Sequence, residues 1–217
     1  MKNIIFISFS LISSFVYTQK KYSLDYALEF ELKNNLKVNK LEYYYNSKDN
    51  GTRLCLLEGD SLKYEMIFAG GENIRIRSSM KKNDFLKATF IENTCDLISK
   101  YQYPYEKKLK KYTSVNLRDT LIDGVSYYHY QMKHIKMKKK YKTVHFIVDK
   151  NSPDCMPFFY NDLFQEIWKK NRTVPNGLPF IIFHKNFKGE ITYKMQLKKA
   201  YKIEKFFLIP EDCLRNK

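Results

Sequence analysis

The stretch VSYYHYQMKHIKMKKKYKTVHFIVD, residues 125–149, decides the fold. Apolar and polar residues alternate on both sides of the lysine run at 138–140, which is the pattern of two antiparallel strands joined by a turn. With the turn centred on Lys139, we expect Tyr130 to face Val148 and Met132 to face Phe146. Side chains alternate between the two faces of a strand, so one face of this hairpin is predicted to be apolar and the other mostly polar.

The two predicted faces of the hairpin differ sharply in chemistry. The apolar face consists of Tyr128, Tyr130, Met132, Val144, Phe146 and Val148. The other face consists of Tyr127, His129, Gln131, Lys133, His145, Ile147 and Asp149. His134 and His145 fall on opposite faces, which argues against a shared metal ion. His129 is expected opposite Asp149, as an ordinary cross-strand polar pair rather than half of a catalytic pair.

The N-terminal half reads as an antiparallel meander. Residues 22–32 alternate most cleanly and predict a half-buried strand with Tyr26, Leu28 and Phe30 on its apolar face. Further short strands are predicted between turn formers such as Asn50-Gly51, and they cover residues 40–45, 52–58, 62–69 and 73–77. The signal is blurred over residues 80–112. Residues 85–91 and the stretch with Leu97, Ile98 and Tyr101 fit strand or helix, and 102–111 reads as an exposed loop.

The C-terminal third predicts a short helix and a second hairpin. Asp162, with Gln165 three residues later, is expected to cap the helix, and Trp168 is expected to pack it on the sheet. A turn at Lys188-Gly189 would place His184 opposite Tyr193 and Ile182 opposite Met195. A last apolar segment covers residues 206–209.

The N-terminus reads as an export signal. Lys2 precedes an apolar run over residues 4–16, and cleavage after Thr18 fits the pattern of a secretory signal peptide. The alternative is an N-terminal membrane anchor, for which the run is short, because about 20 apolar residues are needed to span a bilayer. We therefore expect a cleaved signal at residues 1–18 and a single β-rich domain at 19–217, located in the periplasm or secreted, with no transmembrane segment in the mature chain.

The charge is strongly positive. The chain carries a formal net charge of +16, with 39 lysines and arginines against 23 acidic residues. Such a charge attracts anionic partners, for example envelope polyanions or lipid headgroups. The lysine-rich, alanine-poor composition is also typical of an AT-rich genome, in which case the charge needs no ligand. No specific nucleic-acid partner is expected.

The four cysteines allow two disulfides in an exported chain. We favour Cys155 with Cys213 and Cys55 with Cys95, on the expectation that each bond links neighbouring strands. The alternative is free buried cysteines, since cysteine is among the most frequently buried residues.

No motif for catalysis stands out. A nucleophile elbow, a phosphate loop, a dinucleotide fingerprint and a zincin helix are all missing from the sequence. We therefore expect no enzyme, no cofactor and no metal site.

Several short motifs resemble a known family. They are Ile122-Asp123-Gly124, Val148-Asp149-Lys150 with Pro157 downstream, Gly177-Leu178-Pro179-Phe180-Ile181-Ile182, and Phe206-Phe207-Leu208-Ile209-Pro210. Together they resemble the LolA-like lipoprotein-carrier superfamily of exported bacterial proteins, including its relatives with a Gly-Leu-Pro-Gly-Leu-Ile motif. Phe180 stands where that motif has its second glycine.

The resemblance implies an α+β, mostly β fold. This is a curved antiparallel sheet, an unclosed half-barrel, with one or two short helices packed on it. Its concave face would hold a hydrophobic or amphipathic ligand, such as a lipid or a lipoprotein acyl chain. The predicted ligand-binding residues are Tyr26, Leu28, Phe30, Tyr128, Tyr130, Met132 and Phe146. The alternative is a non-catalytic envelope interaction module with a filled core and a basic partner-binding surface.

Overall fold

The structure is a computed structural model and describes residues 18–34, 37–58, 61–71, 74–100, 105–136, 142–171 and 174–215. The predicted signal peptide therefore lies outside the described residues, except for Thr18, and so does the lysine turn at 138–140. The described chain forms one sheet of 13 strands with short helices, which confirms the mostly β, α+β fold. In this part of the chain, no helix has both the length and the apolar character needed to cross a membrane.

The strands are short apart from two. They are β1 (Gln19–Asn34), β2 (Lys37–Tyr45), β3 (Arg53–Glu58), β4 (Lys63–Gly70), β5 (Ile74–Lys81), β6 (Phe90–Glu92), β7 (Ile98–Lys100), β8 (Tyr112–Asn116), β9 (Thr120–Ile122), β10 (Val125–His134), β11 (Thr143–Asp149), β12 (Pro179–Lys185) and β13 (Ile191–Pro210). The helices are α1 (Lys82–Lys87), α2 (Tyr105–Leu109), α3 (Asp162–Asn171) and α4 (Asp212–Arg215), with a 3-10 turn at Cys95–Leu97.

The sheet is open. Its order is β7-β5-β4-β3-β2-β1-β13-β12-β11-β10-β8, and neighbours along this path pair antiparallel. Two short strands lie off the path, because β9 pairs with β10 and β6 pairs with β13 in parallel. Within the described residues no pairing joins β7 to β8, so the barrel is unclosed.

Contacts of α3 show that the sheet is curved. Asp162, at the start of α3, forms an ion pair with Arg75 on β5, while the Phe164 ring lies 5.9 Å from that of Phe146 on β11. Six strands lie between β5 and β11, and at about 4.8 Å per spacing a flat sheet would hold them about 34 Å apart. A helix of 10 residues is only about 15 Å long. The sheet therefore curls around α3.

The opposite face of the sheet closes around a second core. Phe68 on β4 stacks on Phe207 near the end of β13, with ring centroids 3.9 Å apart, although three strands separate β4 from β13. Buried side chains of β1 also divide between the two faces. Leu24 belongs to the second core and Leu28 to the core under α3, and the register of β1 with β13 is irregular between Leu24 and Tyr26. Irregular pairing of this kind bends and twists a strand.

We name the two cores by what covers them. The helix-side cluster packs under α3, and its largest fully buried side chains are Phe30, Tyr45, Tyr130, Phe146, Phe158 and Phe159. The disulfide-side cluster lies on the other face, and its main members are Leu24, Leu54, Phe68, Phe85, Phe207 and Cys213.

The register of the central hairpin differs from the prediction. Tyr130 faces Phe146 and Met132 faces Val144, a shift of two residues. The prediction was wrong because it centred the turn on Lys139, whereas the observed pairs centre on position 138. Because the shift is even, every side chain keeps its predicted face. In the second hairpin, Ile182 faces Met195 and His184 faces Tyr193, as predicted.

The segment over residues 80–112, where the sequence signal is blurred, contains both strands and helices. Residues 80–112 hold α1, β6, the 3-10 turn, β7 and α2, so part of the predicted loop at 102–111 is helical.

The cap of α3 was also predicted wrongly. The Asn161 side chain, rather than that of Asp162, accepts the Leu163 backbone N–H at 2.9 Å. Trp168 is 5% exposed in the helix-side cluster, which confirms its packing role.

The predicted disulfide pairs are wrong. Cys95 is bonded to Cys213, while Cys55 and Cys155 are free thiols. The physical reason is that Cys95 follows β6, which pairs with the end of β13 and so brings Cys95 to α4. Cys155 instead lies in the helix-side cluster, on the far side of the sheet.

Candidate functional site

The helix-side cluster brings together most of the predicted ligand-binding residues. Leu28, Phe30, Tyr130, Met132 and Phe146 all belong to it, and Tyr26 packs against it, half-buried. These residues come from β1, β10 and β11, which face α3 across the curve of the sheet. The sequence correctly placed these six side chains on one surface.

These side chains contact one another and the segment before α3. Tyr130 stacks on Phe146 with centroids 4.8 Å apart, and Phe159 meets Phe146 edge-on at 5.6 Å. Phe158 stacks on Phe30 at 5.9 Å. Aromatic pairs at such separations add to the free energy of burial. The apolar face is thus occupied by the chain's own aromatic side chains.

Tyr128 does not join the cluster, and its predicted place there is corrected. Its side chain is 37% exposed, and the Lys150 ammonium lies 4.9 Å from its ring centroid. The physical reason is position along the strand, because Tyr128 lies near the end of the hairpin away from its turn, where its ring contacts Lys150. Tyr128 instead lines a separate surface cavity of about 300 Å³, together with His129 and Pro175.

An ionic contact holds α3 to strands β3 and β5. Asp162 forms ion pairs with both Arg53 on β3 and Arg75 on β5. The buried Gln165 side chain accepts from Arg53 Nη1 at 3.5 Å and donates to Asn50 Oδ1 at 3.3 Å. Sequence reasoning missed this contact. The available signal was Arg53, which directly precedes the apolar run Leu54-Cys55-Leu56-Leu57 of β3, where a buried charge needs a partner.

The Tyr130 hydroxyl is buried in the helix-side cluster. Tyr130 is 1% exposed, and its phenol oxygen makes no hydrogen bond with the described residues. Burial raises the pKa of Tyr130 well above its ordinary value, because the phenolate would be desolvated. A buried donor of this kind costs free energy unless a water or a ligand satisfies it.

A second cavity opens on the disulfide side of the sheet, over β1 to β4. Its volume is about 290 Å³, and we call it the acid-rimmed cavity. It is lined by Glu29, Phe30, Glu31, Lys40, Leu41, Glu42, Leu56, Glu58, Tyr64 and Lys198. Four carboxylates thus surround a partly apolar floor.

Histidines form a chain of polar contacts on the face away from α3. His129 Nε2 lies 2.9 Å from His145 Nδ1, and the other ring nitrogens meet Thr120, Gln131 and Thr143 at 3.1 Å. The predicted pairing of His129 with Asp149 is wrong, because the register shift places Ile147 opposite His129. The pKa of His145 is lowered to about 4, chiefly by burial and in smaller part by the neighbouring His129 and Lys185.

His184 faces the other way, toward the segment that precedes α3. Its Nε2 lies 2.6 Å from the Tyr160 hydroxyl, and its ring packs against Tyr193 at 4.6 Å. Burial lowers the pKa of His184 to about 4, with a smaller contribution from Lys142. Two neutral imidazoles therefore lie on opposite faces of the same sheet.

Comparison with known proteins gives structural similarity only. No protein-family model matches the chain, and no curated protein matches it. The chain is similar to Pseudomonas aeruginosa MucB, solved with MucA, at 11% identity, 89% coverage of this chain, 56% of that chain and a TM-score of 0.45. It is also similar to a LolA superfamily protein from Nitrosomonas europaea, at 13% identity, 88% coverage of both chains and a TM-score of 0.30.

A DUF1329 family protein from Desulfovibrio piger is a further match, at 9% identity, 83% and 86% coverage and a TM-score of 0.34. The chain spans little more than half the length of the MucB chain. The sheet is unclosed and mostly antiparallel with helices across it, which is the architecture that the sequence resemblance implied.

Proposed function

We propose that this chain is a non-catalytic binding module of the cell envelope that uses the helix-side face of its sheet for its own core and binds a partner at its surface. One observation carries the proposal. Leu28, Phe30, Tyr130, Met132 and Phe146, predicted to line a ligand site, expose between 0% and 1% of their surface. The Cys95–Cys213 disulfide supports an exported location, in the periplasm or secreted, after removal of the signal at residues 1–18.

Entry of a lipid into this face would require α3 to move. A drug-sized or acyl ligand needs a cavity of about 300 Å³ or more, and here that space is filled by side chains such as Phe158 and Phe159. Moving α3 would also break the ion pairs of Asp162 with Arg53 and Arg75. Losing these charged contacts would cost about 2 kcal/mol, the magnitude of a hydrogen bond to a charged group.

A lipid or lipoprotein carrier is the second candidate, and one observation favours it. The buried Tyr130 hydroxyl has no partner in the described residues, and a ligand oxygen could accept from it. In this function α3 acts as a lid. The acyl chain then contacts the predicted residues Tyr26, Leu28, Phe30, Tyr130, Met132 and Phe146, whereas Tyr128 is 37% exposed and lies outside the cluster.

A lipid-binding experiment separates the two functions. Protein purified from its native host is examined by native mass spectrometry and then titrated with the fluorescent fatty acid cis-parinaric acid. The interaction module predicts no bound lipid and no saturable rise in fluorescence. Saturable binding that oleate competes away would instead establish the carrier.

The basic surface is tested separately. A net charge of +16 predicts weak, non-selective attraction to DNA and to anionic vesicles. This attraction should disappear as salt is raised, because salt screens exposed charges. Binding to one DNA sequence that persists at physiological salt would contradict the absence of a specific nucleic-acid partner.

A further inference from the structure

The acid-rimmed cavity differs in charge from the protein around it. The chain holds 39 basic and 23 acidic residues, yet the cavity is lined by four carboxylates and two lysines. The carboxylates come from three strands: Glu29 and Glu31 on β1, Glu42 on β2 and Glu58 on β3. The pairing of these strands, with Glu29 directly opposite Glu42, brings them to one place. Like charges placed opposite each other destabilise a sheet, so this arrangement has a cost.

The floor of the cavity is apolar and continuous with the disulfide-side cluster. Leu56 is 3% exposed and belongs to that cluster, and Tyr64 packs against it. The Tyr64 ring meets Phe85 edge-on at 5.7 Å. The cavity is therefore the open end of an apolar core, with carboxylates around its mouth.

Glu42 is held in place by two phenols. The hydroxyls of Tyr44 and Tyr201 both donate to Glu42 Oε1, at 2.5 and 3.3 Å. Burial raises the pKa of Tyr44, and the neighbouring Glu42 carboxylate raises it further. These two hydrogen bonds fix the position of the Glu42 carboxylate at the cavity.

The lysines that pair with Glu29 and Glu31 are largely exposed. Lys33 and Lys198 approach Glu31 at 3.2 and 3.4 Å, and their side chains are 60% and 47% exposed. Lys199 approaches Glu29 at 3.7 Å and is 70% exposed. Exposed ion pairs of this kind contribute about 0–1 kcal/mol, so an incoming cation can replace them at small cost.

We propose that the acid-rimmed cavity binds a lysine or arginine side chain presented by a polypeptide partner. The ammonium or guanidinium group lies among Glu29, Glu42 and Glu58, and its aliphatic stem packs on Leu56 and Tyr64. Long cationic side chains place their stems on apolar surface in this way and keep the charged head among polar groups. The cavity, at about 290 Å³, has room for one such side chain. The inference rests on the proposed function as a surface-binding module and assigns its partner chemistry.

The test is a titration of the full chain by isothermal calorimetry with the blocked peptide acetyl-Ala-Leu-Lys-Leu-Ala-amide. Saturable binding that weakens as salt is raised is expected. The same peptide with norleucine in place of lysine keeps the stem and loses the charge, and it should bind at least about tenfold more weakly. Hexylammonium is titrated in the same way, and it tests whether an alkylamine without a peptide backbone binds. Binding of hexylammonium without binding of the peptide would overturn the polypeptide assignment.

Variants locate the binding site. Glu58→Gln and Glu42→Gln should each weaken the lysine peptide about tenfold, because each removes a charged partner. Glu65→Gln is the matched control, since Glu65 is exposed on β4 and does not line the cavity. Glu58 is itself exposed, so its variant is expected to fold normally even if Glu42→Gln is less stable. An unchanged affinity in Glu58→Gln, or an equal loss in Glu65→Gln, would overturn the inference.

The proposed function and this inference can fail separately. Cis-parinaric acid reports on the helix-side face, whereas the lysine peptide reports on the opposite face of the sheet. Lipid uptake together with lysine binding would refute only the filled-core function. Absence of both would refute the cavity assignment and leave the filled core standing.

Discussion

The helix-side and disulfide-side clusters are both aromatic cores, but they are covered by different means. The helix-side cluster is covered by α3, which is held by packing and by the ion pairs of Asp162. The disulfide-side cluster is held by β6 pairing with β13 and by the Cys95–Cys213 bond. A cover held by non-covalent contacts can separate without breaking the sheet, whereas a disulfide prevents it. The comparison therefore identifies α3 as the part of the fold that could move.

A buried lysine adds to the closure of the disulfide side. Lys205 on β13 is 9% exposed, and its ammonium donates to the carbonyls of Phe85 and Ala88 at 2.8 and 2.5 Å. Its pKa is lowered, chiefly by desolvation. The ammonium thus satisfies backbone acceptors at the end of α1, as cations do at helix C-termini.

The largest expected effect tests the packing of the helix-side cluster. Phe146→Ala should lower the free energy of unfolding by about 3–5 kcal/mol, because Phe146 is 0% exposed and three aromatic rings contact it. Urea denaturation measures the change. Phe187→Ala, at a side chain that is 46% exposed, is the control and should cost far less. A loss below about 1 kcal/mol in Phe146→Ala would mean that the core is not tightly packed.

The next effect tests the covalent closure of the disulfide side. Replacing Cys95 and Cys213 by serine should lower the free energy of unfolding by about 2–5 kcal/mol, since the bond joins residues 118 positions apart. Thiol labelling of the denatured, unreduced wild type should find two reactive cysteines, Cys55 and Cys155. Labelling of all four cysteines would show that the bond does not form.

A smaller effect tests the ionic contact on α3. Asp162→Ala should lower the free energy of unfolding by about 2 kcal/mol, because it removes the carboxylate that pairs with the 5%-exposed Arg53 side chain. Glu166→Ala is the matched control on the same helix, where an exposed pair with Lys169 is lost and the change should stay within about 0.5 kcal/mol. Equal changes in the two variants, measured in urea, would contradict a specific role for Asp162.

The smallest expected effect is the pH dependence of stability. It involves one histidine on each face of the sheet. The pKa values of His145 and His184 are both lowered from 6.5 to about 4, so the unfolded chain binds more protons than the folded chain between these values. Stability should therefore be full above pH 6.5 and fall as the pH drops toward 4. After allowance for solvent screening, we expect a loss of about 1–2 kcal/mol.

Thermal melts at stepped pH measure this dependence. His145→Gln and His184→Gln should each flatten part of the slope between pH 6.5 and 4. A stability that rises on acidification would contradict the burial of neutral imidazoles.

The same comparison shows what could be predicted from sequence. The helix-side face was predictable, because strict alternation over β1, β10 and β11 assigns side chains to faces even when the register is wrong by two residues. The disulfide side was not predictable from sequence, because Cys95 lies in a segment whose apolar residues fit strand or helix equally well. Its pairing depends on β6 meeting β13 in parallel, and local sequence carries no signal for that contact.

The predictions for particular site residues were wrong or incomplete for similar reasons. Tyr128 has the correct parity for the helix-side face, but how far a helix extends over a strand cannot be read from alternation. The four glutamates of the acid-rimmed cavity are dispersed over residues 29–58, and only strand pairing gathers them. Asp162 was recognised as a helix-start residue, but its pairing with Arg53 and Arg75 requires the curve of the sheet.

The central claim is that the helix-side face is closed in the native protein, and Cys155 is a natural probe of it. Cys155 is 4% exposed in that cluster, and in a Cys55→Ser variant it is the one free thiol. The measurement is the rate at which dithionitrobenzoate labels this thiol under native conditions, with and without cis-parinaric acid. A closed core predicts labelling at least about a hundredfold slower than in urea, unchanged by the fatty acid and faster in Asp162→Ala. Rapid native labelling, or labelling that the fatty acid blocks, would contradict the account and show that α3 opens to admit a ligand.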